Sequence, residues 1–289
     1  MLPKFSIKLR GFSFWFTDAN REEILAEIER QILLRKQFCV VTPNTEFLML
    51  ARKDKEFAEI LNKAEISIPD GAGIILAKKM QKKVGGRKRE VRRKEKRNLR
   101  PTSNFQLPAL FACFYYGCQV LFGKFASERI TGADLMVDLC DLAKKKNWKV
   151  FFLGAKERVG SKAATIIFKS SPAVSKSWAA FAGDGSPAGD KETVGAINKA
   201  AKVFGKDIDV LFVAYGMGKQ EKWIKRNLKK LPVKMVMGVG GGFDYIAGVV
   251  PRAPKWMRNC GLEWLWRLIR EPWRVKRQLA LMKFIFQIV

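Results

Sequence analysis

Residues 149–155 read KVFFLGA and residues 209–216 read DVLFVAYG. Each is a short, nearly unbroken apolar run that opens on a charged residue and closes on small or turn-forming ones. Runs of this length, rich in Val, Leu and Phe, fit strands buried on both faces. Segments with apolar residues at helical spacing follow each of them, over 157–170 and 219–230. The alternation extends in both directions. FCVV (38–41) stops at Thr42-Pro43 and leads into a helical pattern over 45–62, then a short strand over 65–69. KMVMGVGGGFD (234–244) is a last strand running into glycines. Helical patterns also cover 21–36, with Asp18 or Asn20 as cap, and 133–146, with Thr131 as N-cap. The expected fold class is therefore α/β, a Rossmann-like, mostly parallel sheet with helices on both faces. Ligands of such sheets bind beyond the carboxyl ends of the strands. Thr42, Asn44, Asp70, Gly154, Gly216 and Gly240 are all expected at that edge.

Composition narrows the chemistry. The 289 residues include no histidine, which excludes a Ser-His-Asp triad, a histidine base and a His-ligated metal. A carboxylate is then the natural carrier of any proton transfer. The five cysteines, 39, 113, 118, 140 and 260, form no CxxC pair and suit reduced thiols rather than a disulfide framework. The formal net charge of +28 points to an anionic partner: nucleic acid, anionic lipid or a phosphorylated substrate. The N-terminus, MLPKFSIKLRGFSFWF, is basic and apolar but lacks a long apolar core and a small-residue cleavage site, so it does not read as a signal peptide.

Two segments break the rhythm. Residues 82–126 begin KKVGGRKREVRRKEKRNLR and continue LPALFACFYYGCQVLFGKF, where Lys124 is the only charge. Residues 107–125 have the bare length of a membrane span. A single span there would put Asp70 on one side of a membrane and the strands at 149–155 and 209–216 on the other, dividing one sheet. An in-plane or re-entrant hairpin held to anionic lipid by the basic run is the favoured reading; a true span and a packed helical insertion are the alternatives. The second segment, 251–289, carries four of the eight tryptophans. Arg267, Arg270, Arg274 and Arg277 fall on one stripe of a continuous helix, although Pro272 interrupts it. Tryptophan with arginine suits a bilayer interface and a diphosphate; a solvated helical face with tryptophans packed inward is the bland alternative. The expected organisation is an α/β domain over 1–250, carrying the insertion, and a helical appendage over 251–289.

Several positions could carry chemistry. Asp70, in ISIPDGAGI (66–74), sits at a strand end between two glycines and is either a turn residue or an acid or base. Thr42 and Asn44 could hold a sugar or cap the local backbone. Arg129 and Thr131, in ERITG, are an anion site at a helix start or an N-cap with a surface arginine. Gln220 and Glu221 open a helix after a strand. Gly240 lies in a loop whose backbone could approach a diphosphate, and Asp244 beside it reads as structural. DID (207–209) imitates a DxD metal motif but lies at the wrong end of its strand, so no metal site is assigned.

Five stretches occur in order: TPNTEFLMLARKDKEFAEILNKAEISIPDGAGI, ERITGADL, YGMGKQEKWI, GVGGGFDYIAG and RAPKWMRNCGLEWLWRLIREPWR. Together they resemble the WecG/TagA/CpsF family of bacterial glycosyltransferases, over nearly the whole chain except 82–126. The resemblance implies an inverting, metal-independent transfer from a UDP-sugar, without a cofactor, to a polyprenyl-diphosphate-linked sugar at the cytoplasmic membrane face, in teichoic acid or related polymer assembly. It makes Asp70 the general base and makes Thr42, Asn44, Arg129, Thr131, Gln220, Glu221 and Gly240 substrate-binding. The stripe of Arg267, Arg270, Arg274 and Arg277 is expected to bind the lipid diphosphate at an anionic membrane surface. The family usually has proline where this chain has Gly218. The donor sugar, the polymer and any homo-oligomer are left open. Two competing readings are weaker. A basic nucleic-acid-binding protein would explain the charge, but no RNA-binding fingerprint is evident and the charge lies beside apolar segments. A dinucleotide or S-adenosylmethionine enzyme built on FFLGAKERVG lacks GxGxxG.

Overall fold

The computed structural model describes residues 2–9, 11–71, 73–75, 77–79, 81, 130–170, 176–254, 257, 263–270, 272 and 284. In chain order the first elements are β1 (Lys4–Leu9), β2 (Phe12–Thr17), α1 (Arg21–Leu33), β3 (Phe38–Val41), α2 (Thr45–Ala51), α3 (Lys55–Lys63) and β4 (Ile66–Ser67). After the insertion come α4 (Gly132–Lys146), β5 (Val150–Gly154), α5 (Val159–Phe168), β6 (Trp178–Phe181), α6 (Asp190–Phe204) and β7 (Ile208–Ala214). The chain continues through α7 (Lys219–Asn227), β8 (Val233–Gly238), α8 (Gly242–Ile246) and α9 (Glu263–Arg270). Six strands form one sheet in the order β4-β3-β8-β7-β5-β6, and every pairing in it is parallel.

Alternate side chains of the central strands explain why both faces are covered. Val150, Phe152, Val210, Phe212, Met235 and Met237 point to one face and pack with Ile24, Ile28 and Ile32 of α1, Leu135 and Leu139 of α4 and Ala163 of α5. Phe151, Leu153, Leu211, Val213 and Val236 point to the other and pack with Ile197 of α6 and Trp223 and Ile224 of α7. Two-sided burial is what makes the strand sequences continuously apolar instead of alternating. The α/β reading of the sequence stands.

Four local features differ from the sequence reading. The N-terminal stretch is an antiparallel β1–β2 hairpin, with Gly11 at φ 82° in its turn. Its Ile7, Leu9, Phe14 and Phe16 enter a third cluster with α2, α3 and the distant Phe284. The pattern over 45–62 is two helices, because the Asp54 carboxylate accepts the Phe57 N–H (3.0 Å) and starts α3 afresh. The strand at 65–69 shortens to a two-residue ladder, after which the Asp70 N–H bonds the Pro43 carbonyl (3.0 Å). The edge strand β6 had no expectation attached to it. Residues 107–125 lie outside the described residues; among the described residues no helix is long and apolar enough to cross a membrane.

Candidate active site

The chain segments that follow β3 and β4 bring Thr42, Asn44 and Asp70 together. The Ile68 N–H donates to the Val41 carbonyl (2.8 Å) and the Asp70 N–H to the Pro43 carbonyl (3.0 Å), so the chain beyond β4 runs beside the chain beyond β3. Asp70 is thus bonded, through its backbone, to the residue between Thr42 and Asn44. Asn44 caps α2 by accepting the Phe47 N–H on Oδ1 (3.1 Å). That leaves its amide nitrogen as the group able to meet a ligand. Thr42 is nearly buried, and its Oγ1 lies so close to Gly132 that a Cβ there would stand 2.8 Å from it.

Gly132 is the first residue of α4 and donates its N–H to Asp70 Oδ2 at 3.5 Å, the long limit of a hydrogen bond. The Asp70 carboxylate therefore faces the N-terminus of a 15-residue helix, an end that attracts negative charge. One helix start touches both Thr42 and Asp70. Thr131, the N-cap, accepts the Asp134 N–H (3.1 Å) and an Arg252 Nη2 N–H (3.2 Å), and donates to Asp134 Oδ2 (2.6 Å). That uses the one donor and both acceptor sites of a hydroxyl. Thr131 consequently builds the helix start instead of reaching outward. Arg252 Nη1 also pairs with Asp134 Oδ1 at 2.7 Å. Neither Asp134 nor Arg252 was singled out from sequence. The T-x-x-D spacing of Thr131 and Asp134 was a readable capping signal, whereas Arg252 is a tertiary partner 121 residues from Thr131.

Gln220 and Glu221 occupy a different position from a ligand-facing pair. Both are 2% exposed, beneath the loops that follow β7 and β8. Gln220 Oε1 accepts the Gly240 N–H (3.1 Å), its Nε2 donates to Glu221 Oε1 (2.7 Å), and Glu221 Oε2 accepts the Gly218 N–H (2.7 Å). This relay clamps the two loops to each other. Burial pushes the Glu221 carboxyl up to about 7, against the pull of its hydrogen bonds from Gln220 and Gly218. Gly238 makes room for the pair, since a Cβ there would stand 2.5 Å from Gln220 Nε2. Gly218 sits at φ 85°, a conformation proline cannot adopt, and it supplies an N–H that proline lacks. The proline that the family resemblance leads one to expect there is thus incompatible with the path taken here. Gly240, at φ 51°, turns the chain after β8.

Asp209 of DID is 1% exposed at the amino end of β7. It accepts the Lys149 N–H (2.8 Å) and pairs with Lys234 (2.6 Å) and Lys206 (3.1 Å). Its oxygens serve a lysine cluster at the far end of the sheet from Asp70. Among the described residues no group of three or more acidic or cysteine side chains could hold a metal ion. Arg129, Arg274 and Arg277 lie outside the described residues, as does the Arg267 side chain. Arg270 is exposed on α9, its guanidinium 5.1 Å from the Trp266 ring centroid.

The sequence profile of the glycosyl transferase WecG/TagA/CpsF family matches residues 9–92 and 115–289. The internal unmatched stretch, 93–114, is narrower than the 82–126 break read from the sequence. The chain is 26% identical over 275 residues to an N-acetylglucosaminyldiphosphoundecaprenol N-acetyl-beta-D-mannosaminyltransferase of Bacillus subtilis (strain 168), covering 95% of this chain and 88% of that one. It is 26% identical over 271 residues to the enzyme of the same name from Bacillus spizizenii, covering 93% of this chain and 86% of the relative. With a family profile matching most of its length and a six-stranded parallel α/β sheet, this chain belongs to the WecG/TagA/CpsF family of glycosyl transferases.

Proposed function

We propose that this protein is a hexosyltransferase that moves N-acetylmannosamine, or a closely related sugar, from a UDP-sugar to a polyprenyl-diphosphate-linked GlcNAc. The acceptor hydroxyl oxygen attacks the anomeric carbon. The bond from that carbon to the UDP oxygen breaks, and its electron pair leaves on the diphosphate. The hydroxyl proton passes to the Asp70 carboxylate. Attack opposite the leaving group inverts the centre, turning an α-linked donor into a β-linked product, and the two relatives are named as β-mannosaminyltransferases. The observation that carries this reading is the Asp70 carboxylate at the strand edge, beside Thr42 and Asn44 and against the first N–H of α4. In the same reading Thr42 Oγ1 and the Asn44 amide orient a sugar, Arg129 meets the diphosphate, and Gln220, Glu221 and Thr131 hold the backbone around it. No metal or cofactor has a part in these steps.

We place the reaction at the cytoplasmic face of the membrane, in assembly of a cell-surface polysaccharide or teichoic acid. The high positive charge is then for anionic lipid and diphosphate, not for nucleic acid. On α9, Ile269 is 64% exposed beside Arg270, a pairing suited to the headgroup boundary. Phe284 is fully buried among the hairpin, α2 and α3, so deleting 251–289 would also remove a core side chain. Point changes such as Ile269→Asp or Arg270→Glu are the cleaner probes of vesicle binding. The activity is tested by UDP release from UDP-N-acetylmannosamine, which should require a lipid-diphosphate-GlcNAc acceptor. Acceptor-independent hydrolysis, or no turnover with any UDP-N-acetylhexosamine, contradicts it. Salt-sensitive RNA binding without vesicle binding would favour the nucleic-acid reading.

A further inference from the structure

Arg252 has no part in the reaction as written, yet it is bonded into the site. Its Nη1 pairs with Asp134 Oδ1 at 2.7 Å and its Nη2 donates to Thr131 Oγ1 at 3.2 Å. These two residues are the cap of α4. The next residue, Gly132, donates to Asp70 Oδ2 and abuts Thr42 Oγ1. The arginine reaches them from beyond the glycine loop and α8, at the root of the appendage. Its neighbour Pro251 accepts the Trp266 indole N–H from α9 (3.1 Å). A continuous set of contacts thus runs from α9 through Pro251 and Arg252 to the helix start that faces Asp70.

We propose that Arg252 is a positioning residue for Asp70: it locks the Thr131–Asp134 cap, sets the register of Gly132 against the carboxylate and Thr42, and ties that register to the seating of the appendage. The proposal deepens the assignment of Asp70 as base and rests on it. The guanidinium is suited to the task because its planar fork holds a carboxylate and a hydroxyl at once, whereas a lysine ammonium offers a single charged centre. A misplacement approaching 1 Å at a reacting group costs about a hundredfold in rate, so loss of the lock should appear in kcat rather than in donor binding.

The test is steady-state transfer by the full chain, using UDP-N-acetylmannosamine and a short-chain polyprenyl-diphosphate-GlcNAc. The variants are Arg252→Ala, Arg252→Lys, Asp134→Asn, the Arg252→Ala/Asp134→Asn pair, and Asp70→Asn in parallel. The expected result for Arg252→Ala is a fall in kcat of roughly 10- to 100-fold with donor KM held within about twofold. Arg252→Lys should recover part of the loss. The double variant should be no slower than the slower single one, because both remove the same lock. A raised donor KM with kcat retained would make Arg252 a direct anion contact, and additive losses would make the two residues independent; either overturns the proposal. If Arg252→Ala does not fold, Arg252→Lys and Asp134→Asn decide, since wild-type kcat in both overturns it. Undiminished turnover by Asp70→Asn would sink the base assignment itself, a separate outcome from any of these.

Discussion

The buried carboxyl of Glu221 makes a stability prediction that isolates one side chain. It is 2% exposed and accepts bonds from Gln220 Nε2 and the Gly218 N–H. Both bonds favour the ionised form, which can only accept, while burial disfavours it and wins, raising the group from 4.5 to about 7. The folded state therefore holds this proton more tightly than the unfolded chain. The stabilisation from that proton is fully present below pH 4.5 and is lost as pH rises through about 7. At roughly 1.4 kcal/mol per pH unit, the full difference is about 3 kcal/mol. Glu221→Gln cannot titrate. It also leaves one amide N–H facing a donor, a cost of about 1–3 kcal/mol that does not vary with pH. Urea unfolding of both proteins at about pH 5 and about pH 8 gives four free energies. The difference between variant and wild type should move by about 2–3 kcal/mol in favour of glutamine on going to the higher pH. All other titrating groups cancel. Parallel pH dependences would refute the account, because they would mean that Glu221 ionises in the fold as it does in the unfolded chain.

Two further outcomes follow from packing and charge. Gly132→Ala places a methyl 2.8 Å from Thr42 Oγ1, where ordinary contact begins near 3.4 Å, so the hydroxyl must retreat by about 0.6 Å; kcat should fall about tenfold while the thermal midpoint changes little, and wild-type kcat would remove Thr42 from the site. Asp209→Ala leaves Lys234 and Lys206 facing each other at the amino end of β7; because both lysines are partly solvated, the cost should be on the order of 2 kcal/mol by denaturant unfolding. Its kcat should be unchanged, and a manganese-dependent activity lost with it would revive the metal reading.

What the sequence disclosed follows from the physics of each element. The strands β3, β5, β7 and β8 are apolar runs cut off by glycine or Thr-Pro, and two-sided burial makes such runs conspicuous. Thr42 and Asn44 follow β3 and Asp70 follows its parallel neighbour β4, so the three converge at one edge, as the bond from the Asp70 N–H to the Pro43 carbonyl shows. β6, with two alanines in WAAF, has little intrinsic strand signal and is held by its ladder with β5. The hairpin is hard to read from sequence although KFSIKL alternates, because a basic, apolar terminal stretch resembles a targeting segment. Gln220 and Glu221 carry polar side chains that ordinarily mean exposure. Only the fold reveals that Gly238 opens a space for them beneath two loops. Arg252 was silent because its meaning lies in partners more than a hundred residues away.

The central claim is that Asp70 takes the proton of a lipid-linked sugar hydroxyl. Its most direct test is single-turnover transfer by Asp70→Asn, with far-UV circular dichroism and UDP binding measured on the same sample. Asparagine keeps an oxygen that can accept the Gly132 N–H but does not remove a proton at neutral pH. The account predicts a rate reduced by roughly 10²- to 10⁴-fold with fold and UDP binding unchanged. Transfer at close to the wild-type rate would contradict it.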